Sequence, residues 1–321
     1  MPFLARKANR AAVVPMQAQS EQGWEDDVYP SVHSVGAVGS GWAHRRVCGN
    51  AGCSSGWTAP WRSRHRPVFE GEWGCSGRCV LAMAQAAVLR EAKGGSIVEA
   101  QHRHRVPLGL VMLAQGWITQ AQLRKALDAQ REHGTGRIGD WLVSKCGTDP
   151  RYVTRGLSVQ WNCPVLTTEG FSPQAMALTM PRLFVEEFGL VPLRVAGSRI
   201  LYLGFEDRLD ASAAFAMEQM TELRTENGLV AGEEFRTARD RLLECNAVEM
   251  KLTAVVDKDV LAARITAVLE QKQPVASRLV RLHGYYWLRM WLENGALGRA
   301  GSLPCRGEDV LDYVFTVGAH A

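Results

Sequence analysis

PLGLVMLAQGWITQAQLRKALDAQ, residues 107–130, and RIGDWLVSKCGTDPRYVTRGLSVQ, residues 137–160, are one pattern written twice. A shift of thirty residues lays Leu108-Gly109 on Ile138-Gly139, Met112 on Leu142, Leu113 on Val143, Leu123 on Val153, Leu127 on Leu157 and Gln130 on Gln160. Thr119 falls on Asp149; both residue types cap helix N-termini, and Pro150 takes the first helical position, where its missing N–H costs nothing. Leu123, Leu127 and Gln130 stand at i, i+4 and i+7, as do Val153, Leu157 and Gln160, so each trio shares a helix face. Each copy therefore reads as a short helix, a tight turn and a longer helix.

Such a repeat offers more than packing. Gly109 and Gly139, one residue into each short helix, carry no Cβ and let a ligand approach the backbone closely. Free N–H groups and the positive dipole end at a helix start suit a phosphate. Two such sites side by side suit a ligand with two phosphates and two bases. Leucines can floor purine rings, Arg137 can donate to guanine O6 and N7 or to phosphate, and the amides of Gln130 and Gln160 offer donor and acceptor to a base edge.

With these residues in view, the repeat resembles the Arg-Leu-Gly-x-x-Leu-x-x-x-Gly, Leu-x-x-x-Leu-x-x-Gln pattern that occurs twice in the MshEN domain, the N-terminal domain of type II secretion and type IV pilus assembly ATPases. Residues 162–210, NCPVLTTEGFSPQAMALTMPRLFVEEFGLVPLRVAGSRILYLGFEDRLD, are similar to the second subdomain of that family, a small sheet flanked by helices. The resemblance covers about residues 105–245 and implies a receptor for cyclic di-GMP, with a protein partner in a secretion, pilus or motility system. Carried over position by position, it implies ligand contacts from Leu108, Gly109, Met112, Gly116, Leu123, Leu127 and Gln130 in the first copy. In the second it implies Arg137, Ile138, Gly139, Leu142, Val153, Leu157 and Gln160. The copies also depart from the family. Pro107 stands where the first arginine belongs, with Arg105 two residues earlier, and Cys146 takes the place of the second copy's later glycine, with Gly147 following. Asp207, in Gly-Phe-Glu-Asp-Arg-Leu-Asp, resembles the acidic residue opening the family's Asp-Pro-x-Asp turn, with Arg208 in place of the proline. Two uses stay open: dinucleotide binding, or an adaptor that keeps the fold without the nucleotide.

Cys48-x4-Cys53 and Cys75-x3-Cys79 form a second constellation. Two close thiolate pairs can close a tetrahedral shell around Zn2+. Arg66–Trp73 between them can supply a hairpin, and Cys79 opens a helical run, Val80–Ala92, with Val80, Met83, Ala84, Ala87 and Val88 on one face. Knuckle, hairpin and ligands at a helix start resemble a treble-clef zinc finger; unpaired or redox cysteines are the alternative. His44 and His65 read as solvated, and Cys146, Cys163, Cys245 and Cys305 as structural. Residues 44–69 hold Arg45, Arg46, Arg62, Arg64 and Arg66 with Trp57 and Trp61 and no Asp or Glu, so nucleic acid is a rival partner. A solvated face with tryptophans packing a small core is the preferred, plainer reading.

The remaining bounds are set by composition. A chain of 321 residues with 46% hydrophobic content has room for two or three compact units. A net charge of +4 compels neither a nucleic-acid nor a membrane partner. The basic stretch Met1–Pro15 has no signal-peptide core, and no run approaches the roughly 18 apolar residues of a membrane span, so the expected address is the cytoplasm. No Gly-x-x-x-x-Gly-Lys-Ser/Thr occurs, so an ATPase's phosphate loop is missing. Gly134-Thr135-Gly136-Arg137-Ile138-Gly139 matches Gly-x-Gly-x-x-Gly but follows a helix, and reads as one helix stop and the next start.

The expectation is thus a non-enzymatic α/β (α+β) protein in five parts. Residues 1–43 are a disordered lead-in and 44–93 a four-cysteine zinc finger, with Gly94-Gly95-Ser96 as linker. Residues 105–162 are the helical repeat subdomain, and 163–245 a small antiparallel sheet with helices. Residues 252–321 are an unassigned α/β tail with one amphipathic helix, Val260–Gln271, and strands around Arg278–Leu292.

Overall fold

The computed structural model describes residues 48–54, 68–98, 105–197, 199–292 and 303–318, and all of these belong to the compact unit Trp42–Ala321. The expected lead-in, residues 1–43, lies outside the described residues. Chain order begins with a hairpin, β1 (Val68–Phe69) and β2 (Glu72–Trp73). Its turn, Glu70-Gly71, has φ of 51° and 81°, the left-handed pair that matches the twist of short antiparallel strands. Helix α1 (Gly77–Val98) follows and runs through Gly94-Gly95-Ser96, so the expected linker is helical. Each glycine costs a helix about 1 kcal/mol, but propagation from a packed, already nucleated segment carries the helix on. Arg281 also grips this stretch, donating its N–H to Glu91 and its guanidinium to the Ala92 carbonyl.

The repeat forms α2 (Leu108–Ala114), α3 (Gln120–His133), α4 (Ile138–Cys146) and α5 (Pro150–Trp161). Thr119 and Gln122 make a reciprocal capping box at α3, and the Asp149 side chain accepts from the Arg151 N–H at α5, with Pro150 in the first turn. Leu108, Met112, Ile118, Leu123, Ala126 and Leu142 fill the core. The displaced glycine has a simple outcome: α4 runs on to Cys146, and Gly147 takes the left-handed position (φ 63°) held by Gly116 (φ 70°) in the first copy.

Next come α6 (Pro173–Met176), α7 (Arg182–Phe188), β3 (Leu190–Ala196), β4 (Ile200–Phe205), α8 (Ala211–Thr221), β5 (Arg224–Leu229) and α9 (Gly232–Leu243). The sheet has the order β3-β4-β5 and is mixed rather than wholly antiparallel. β3 and β4 pair antiparallel across a tight turn, but α8 carries the chain back over the sheet, so β5 returns parallel to β4.

The tail is a second sheet. β6 (Glu249–Val255), α10 (Lys258–Lys272), β7 (Ala276–Leu282), β8 (Tyr285–Trp291) and β9 (Val310–Val317) give the strand order β6-β9-β8-β7. Strands β7, β8 and β9 are covered on both faces, while the edge strand β6 is largely exposed. Leu279, Leu288, Met290, Leu311 and Phe315 pack against Val80, Ala84 and Val88 of α1 and Leu261, Ile265 and Leu269 of α10. Val280, Leu282, Trp287 and Val314 join the core built by α7, α8 and the three-stranded sheet. The hairpin extends this arrangement: Glu70 donates its N–H to the Ser277 carbonyl at 2.9 Å, and the Ser277 hydroxyl donates to the Val68 carbonyl at 2.8 Å. Phe69 and α1, early in the described chain, therefore share one core with β9 at its end.

Candidate functional site

The repeat brings its equivalent residues into equivalent contacts. Gly109 and Gly139 are buried, and a methyl at either would collide with the longer helix of its own copy. It would lie 2.5 Å from Leu123 Cδ1 at Gly109 and 2.8 Å from Val153 Cγ1 at Gly139. The missing Cβ makes room for close packing of the two helices. Gln130 donates its side-chain N–H to the Gly136 carbonyl at 2.8 Å, and Gln160 to the Val106 carbonyl at 2.7 Å. Both glutamines thus fasten the chain just ahead of a short helix, Val106 and Gly136 being thirty residues apart like the glutamines themselves. Leu108, Met112, Leu123 and Leu142 are buried; Leu127, Ile138, Val153 and Leu157 are half-buried; Gly116 is exposed.

Arg137 differs from all of these. It is the N-cap residue of α4, makes no capping bond, and turns its guanidinium to the carboxylate of Asp207 in the loop after β4. Its side chain is 69% exposed against 26% for Asp207. Beside it, burial and the charge of Asp207 hold the Glu206 carboxyl above its usual range, opposed by Arg236, whose Nε lies 3.8 Å away, and by Arg137. The first copy has no counterpart. Pro107 occupies the N-cap of α2, and the Arg105 guanidinium lies 3.2 Å from the centre of the Trp161 ring.

The second site is made by the segment 48–54 ahead of the hairpin, Cys75 just after β2, and Cys79 in the first turn of α1. Cys48, Cys53, Cys75 and Cys79 bring their four sulfurs within 4.8 Å of one another. Cys53 to Cys75 and Cys75 to Cys79 are each 3.5 Å between sulfurs. A tetrahedral shell with metal–sulfur bonds of about 2.3 Å has edges of about 3.8 Å, so four thiolates so placed could hold a metal. Asn50 donates to the Cys79 sulfur at 3.4 Å; that bond and one from Ser76 bring the Cys79 thiol down to about 6. Burial pushes Cys75 up to about 12. The Cys75 N–H also points at the Cys48 sulfur, at 3.5 Å. Knuckle, hairpin and helix start thus follow the expected order. His44, His65, Arg45, Arg46, Arg62, Arg64, Arg66, Trp57 and Trp61 lie outside the described residues.

The other cysteines have local roles. Cys146 donates to the Gln122 carbonyl across the two copies, Cys245 to the Arg241 carbonyl, burial pushes the Cys163 thiol up, and Cys305 is exposed. Sequence reasoning missed Arg289 and Asp312. They face one another across β8 and β9 with side chains 2% and 0% exposed, joined at 2.8 Å. Trp287 Nε1 also donates to Asp312 at 2.9 Å, and Arg289 donates to the Thr179 carbonyl at 2.8 Å. A single charge in an otherwise uncharged strand, Arg289 in β8 and Asp312 in β9, was their signal. No helix among the described residues is long and apolar enough to cross a membrane.

Fold and sites together define a duplicated helix–turn–helix unit on a mixed sheet, with a four-cysteine centre ahead of it. No family model and no curated protein matches the chain. Among solved structures it is similar to MshE with cdg, at 23% identity and a TM-score of 0.36, covering 43% of this chain and 99% of that one. It is also similar to the N-terminal domain of XpsE, at 16% identity and a TM-score of 0.32, covering 44% of this chain and 98% of that one.

Proposed function

We propose that residues 105–245 form a non-enzymatic, cyclic di-GMP-responsive regulatory module working in the cytoplasm beside a secretion, pilus or motility machine. We further propose that Cys48, Cys53, Cys75 and Cys79 hold a structural Zn2+. The observation that carries the first reading is Arg137: it heads one copy of a two-copy repeat whose pattern resembles a dinucleotide receptor, stays open to solvent, and is matched by one exchangeable carboxylate. A ligand phosphate or guanine edge has the acceptors to take that guanidinium from Asp207. Gln130 and Gln160 each commit one side-chain N–H to a backbone carbonyl, which leaves the oxygen and the second N–H of each amide. Zn2+ would supply a tie among four thiolates and no reactive group; the chain's own residues set the sulfur spacing.

Pro107 favours a second reading, an adaptor that keeps the fold without the nucleotide, because the first copy presents no arginine at its helix start. Calorimetric titration separates the two. Cyclic di-GMP should bind, with GTP and GMP far weaker because two linked sites gain from engaging one ligand, and Pro107→Arg should tighten binding. Silence from both wild type and Pro107→Arg at millimolar ligand would leave the adaptor.

A further inference from the structure

The loop after β4, Glu206-Asp207-Arg208-Leu209-Asp210, carries two carboxylates that hold side chains from two other parts of the molecule. Asp207 pairs with Arg137 at the head of the second repeat copy. Asp210 has two tasks: Oδ1 accepts from the Ala213 N–H at 3.0 Å and caps α8, while Oδ2 lies 2.7 Å from His283 Nε2 in the turn between β7 and β8. That turn depends on what holds it, because His283 has φ 50°, a conformation costly for residues other than glycine. Its remaining holds are the Phe188 ring at 5.0 Å, the Tyr285 hydroxyl donating to Glu187 at 2.6 Å, and Arg281 donating to the His283 carbonyl at 2.8 Å.

We propose that this loop couples the state of Arg137 to the C-terminal sheet, so that releasing Asp207 loosens the cap at Asp210 and the β7–β8 turn. Electrostatics supply the drive. With Arg137 withdrawn, Glu206 and Asp207 face one another and Asp140, and Arg236 remains as a counter-charge, 3.8 Å from Glu206. Geometry directs the response. Phe205 before the loop and Ala213 after it are fully buried, so the segment between them takes up the change. The proposal rests on the receptor reading only for what withdraws Arg137; the contacts from Asp207 to His283 stand without a nucleotide.

Hydrogen exchange of the full chain tests it in peptides spanning residues 211–214 and 282–286. Arg137→Ala should speed exchange there by about two- to fivefold, the range an exposed ion pair commands. Adding Asp207→Asn to Arg137→Ala should bring exchange back toward the wild-type rate, since it removes the charge that repels Glu206. Arg131→Ala, which breaks an ion pair within α3, should leave both peptides unchanged. Unchanged turn peptides in Arg137→Ala would overturn the coupling. Cyclic di-GMP added to wild type should reproduce the Arg137→Ala pattern. If it fails to bind while Arg137→Ala still loosens the turn, the receptor reading fails and the coupling stands; if it binds and the turn stays closed, the coupling fails alone.

Discussion

Replacing Gly139 with alanine sets two known effects against each other. Within a helix, Gly→Ala gains about 0.8–1.0 kcal/mol of helix propensity. Against this, the new methyl falls 2.8 Å from Val153 Cγ1 and 3.7 Å from Leu108 Cδ2. A contact under 3 Å must be relieved, and a β-branched valine on a helix has one strongly preferred rotamer, so it cannot swing aside. Overpacking of this kind costs about 1–3 kcal/mol, which leaves the variant destabilised by up to about 2 kcal/mol. Removing the obstacle reverses the sign. In a Val153→Ala background the same Gly139→Ala change should stabilise by about 0.8–1.0 kcal/mol, the unopposed helix gain. Urea unfolding of the four proteins gives the coupling energy directly, and it should equal the overpacking cost. Gly109→Ala offers a comparison, because its methyl meets the far end of Leu123, which can adjust more readily than a valine. If Gly139→Ala stabilises the wild-type protein as much as the Val153→Ala background, the glycine is not there for packing. Close ligand approach would then regain its claim.

Four further outcomes follow from the site and the core. The purified chain should carry about one zinc, and Cys75→Ser should release it; the loss should expose the α1 face of the C-terminal sheet, seen as faster exchange in β7 and β8, because α1 covers that sheet. Arg289→Ala should destabilise by about 3–5 kcal/mol in denaturant unfolding, since Asp312 would be left buried without its partner. If cyclic di-GMP binds, Arg137→Ala should cost about 1.5–3 kcal/mol by calorimetry, the worth of a hydrogen bond to a charged group, with Gln130→Ala costing less. Repurified protein should hydrolyse no ATP above background, and persistent turnover would reveal an overlooked active site.

What could be read from the sequence was what depends on near neighbours. Thr119, Asp149 and Pro150 announce helix starts because capping is settled within a few residues, and all three do that work. The hairpin within Arg66–Trp73 and the apolar face of α1 were legible for the same reason. Gly109 and Gly139 were legible as positions but not as purposes. An absent Cβ looks the same whether a ligand or a leucine fills the gap, and only the third dimension names Leu123 and Val153. Gly94-Gly95-Ser96 reads as a break by propensity, yet contacts from Arg281, almost two hundred residues on, hold the helix beside it. The tail's strands show their pattern, but their cover, α1, lies at the other end of the chain, beyond any periodicity argument. Arg137 was found through its place in the repeat; that Asp207 would face it required the folded chain.

The bond from Gln160 to the Val106 carbonyl has a consequence for how such a unit travels between proteins. It brings the point where the chain enters the four-helix unit to within a hydrogen bond of the last turn before it leaves. A segment whose ends meet makes little demand on its host: it can be spliced into a surface loop or set before an unrelated partner without prising the host's ends apart. The internal copy shows the span required, because Arg131–Gly136 bridges the equivalent gap between Gln130 and Arg137. A permuted chain that begins at Arg137, runs through Gln160, crosses a linker of that length and finishes at Gln130 should therefore close the same ring of helices.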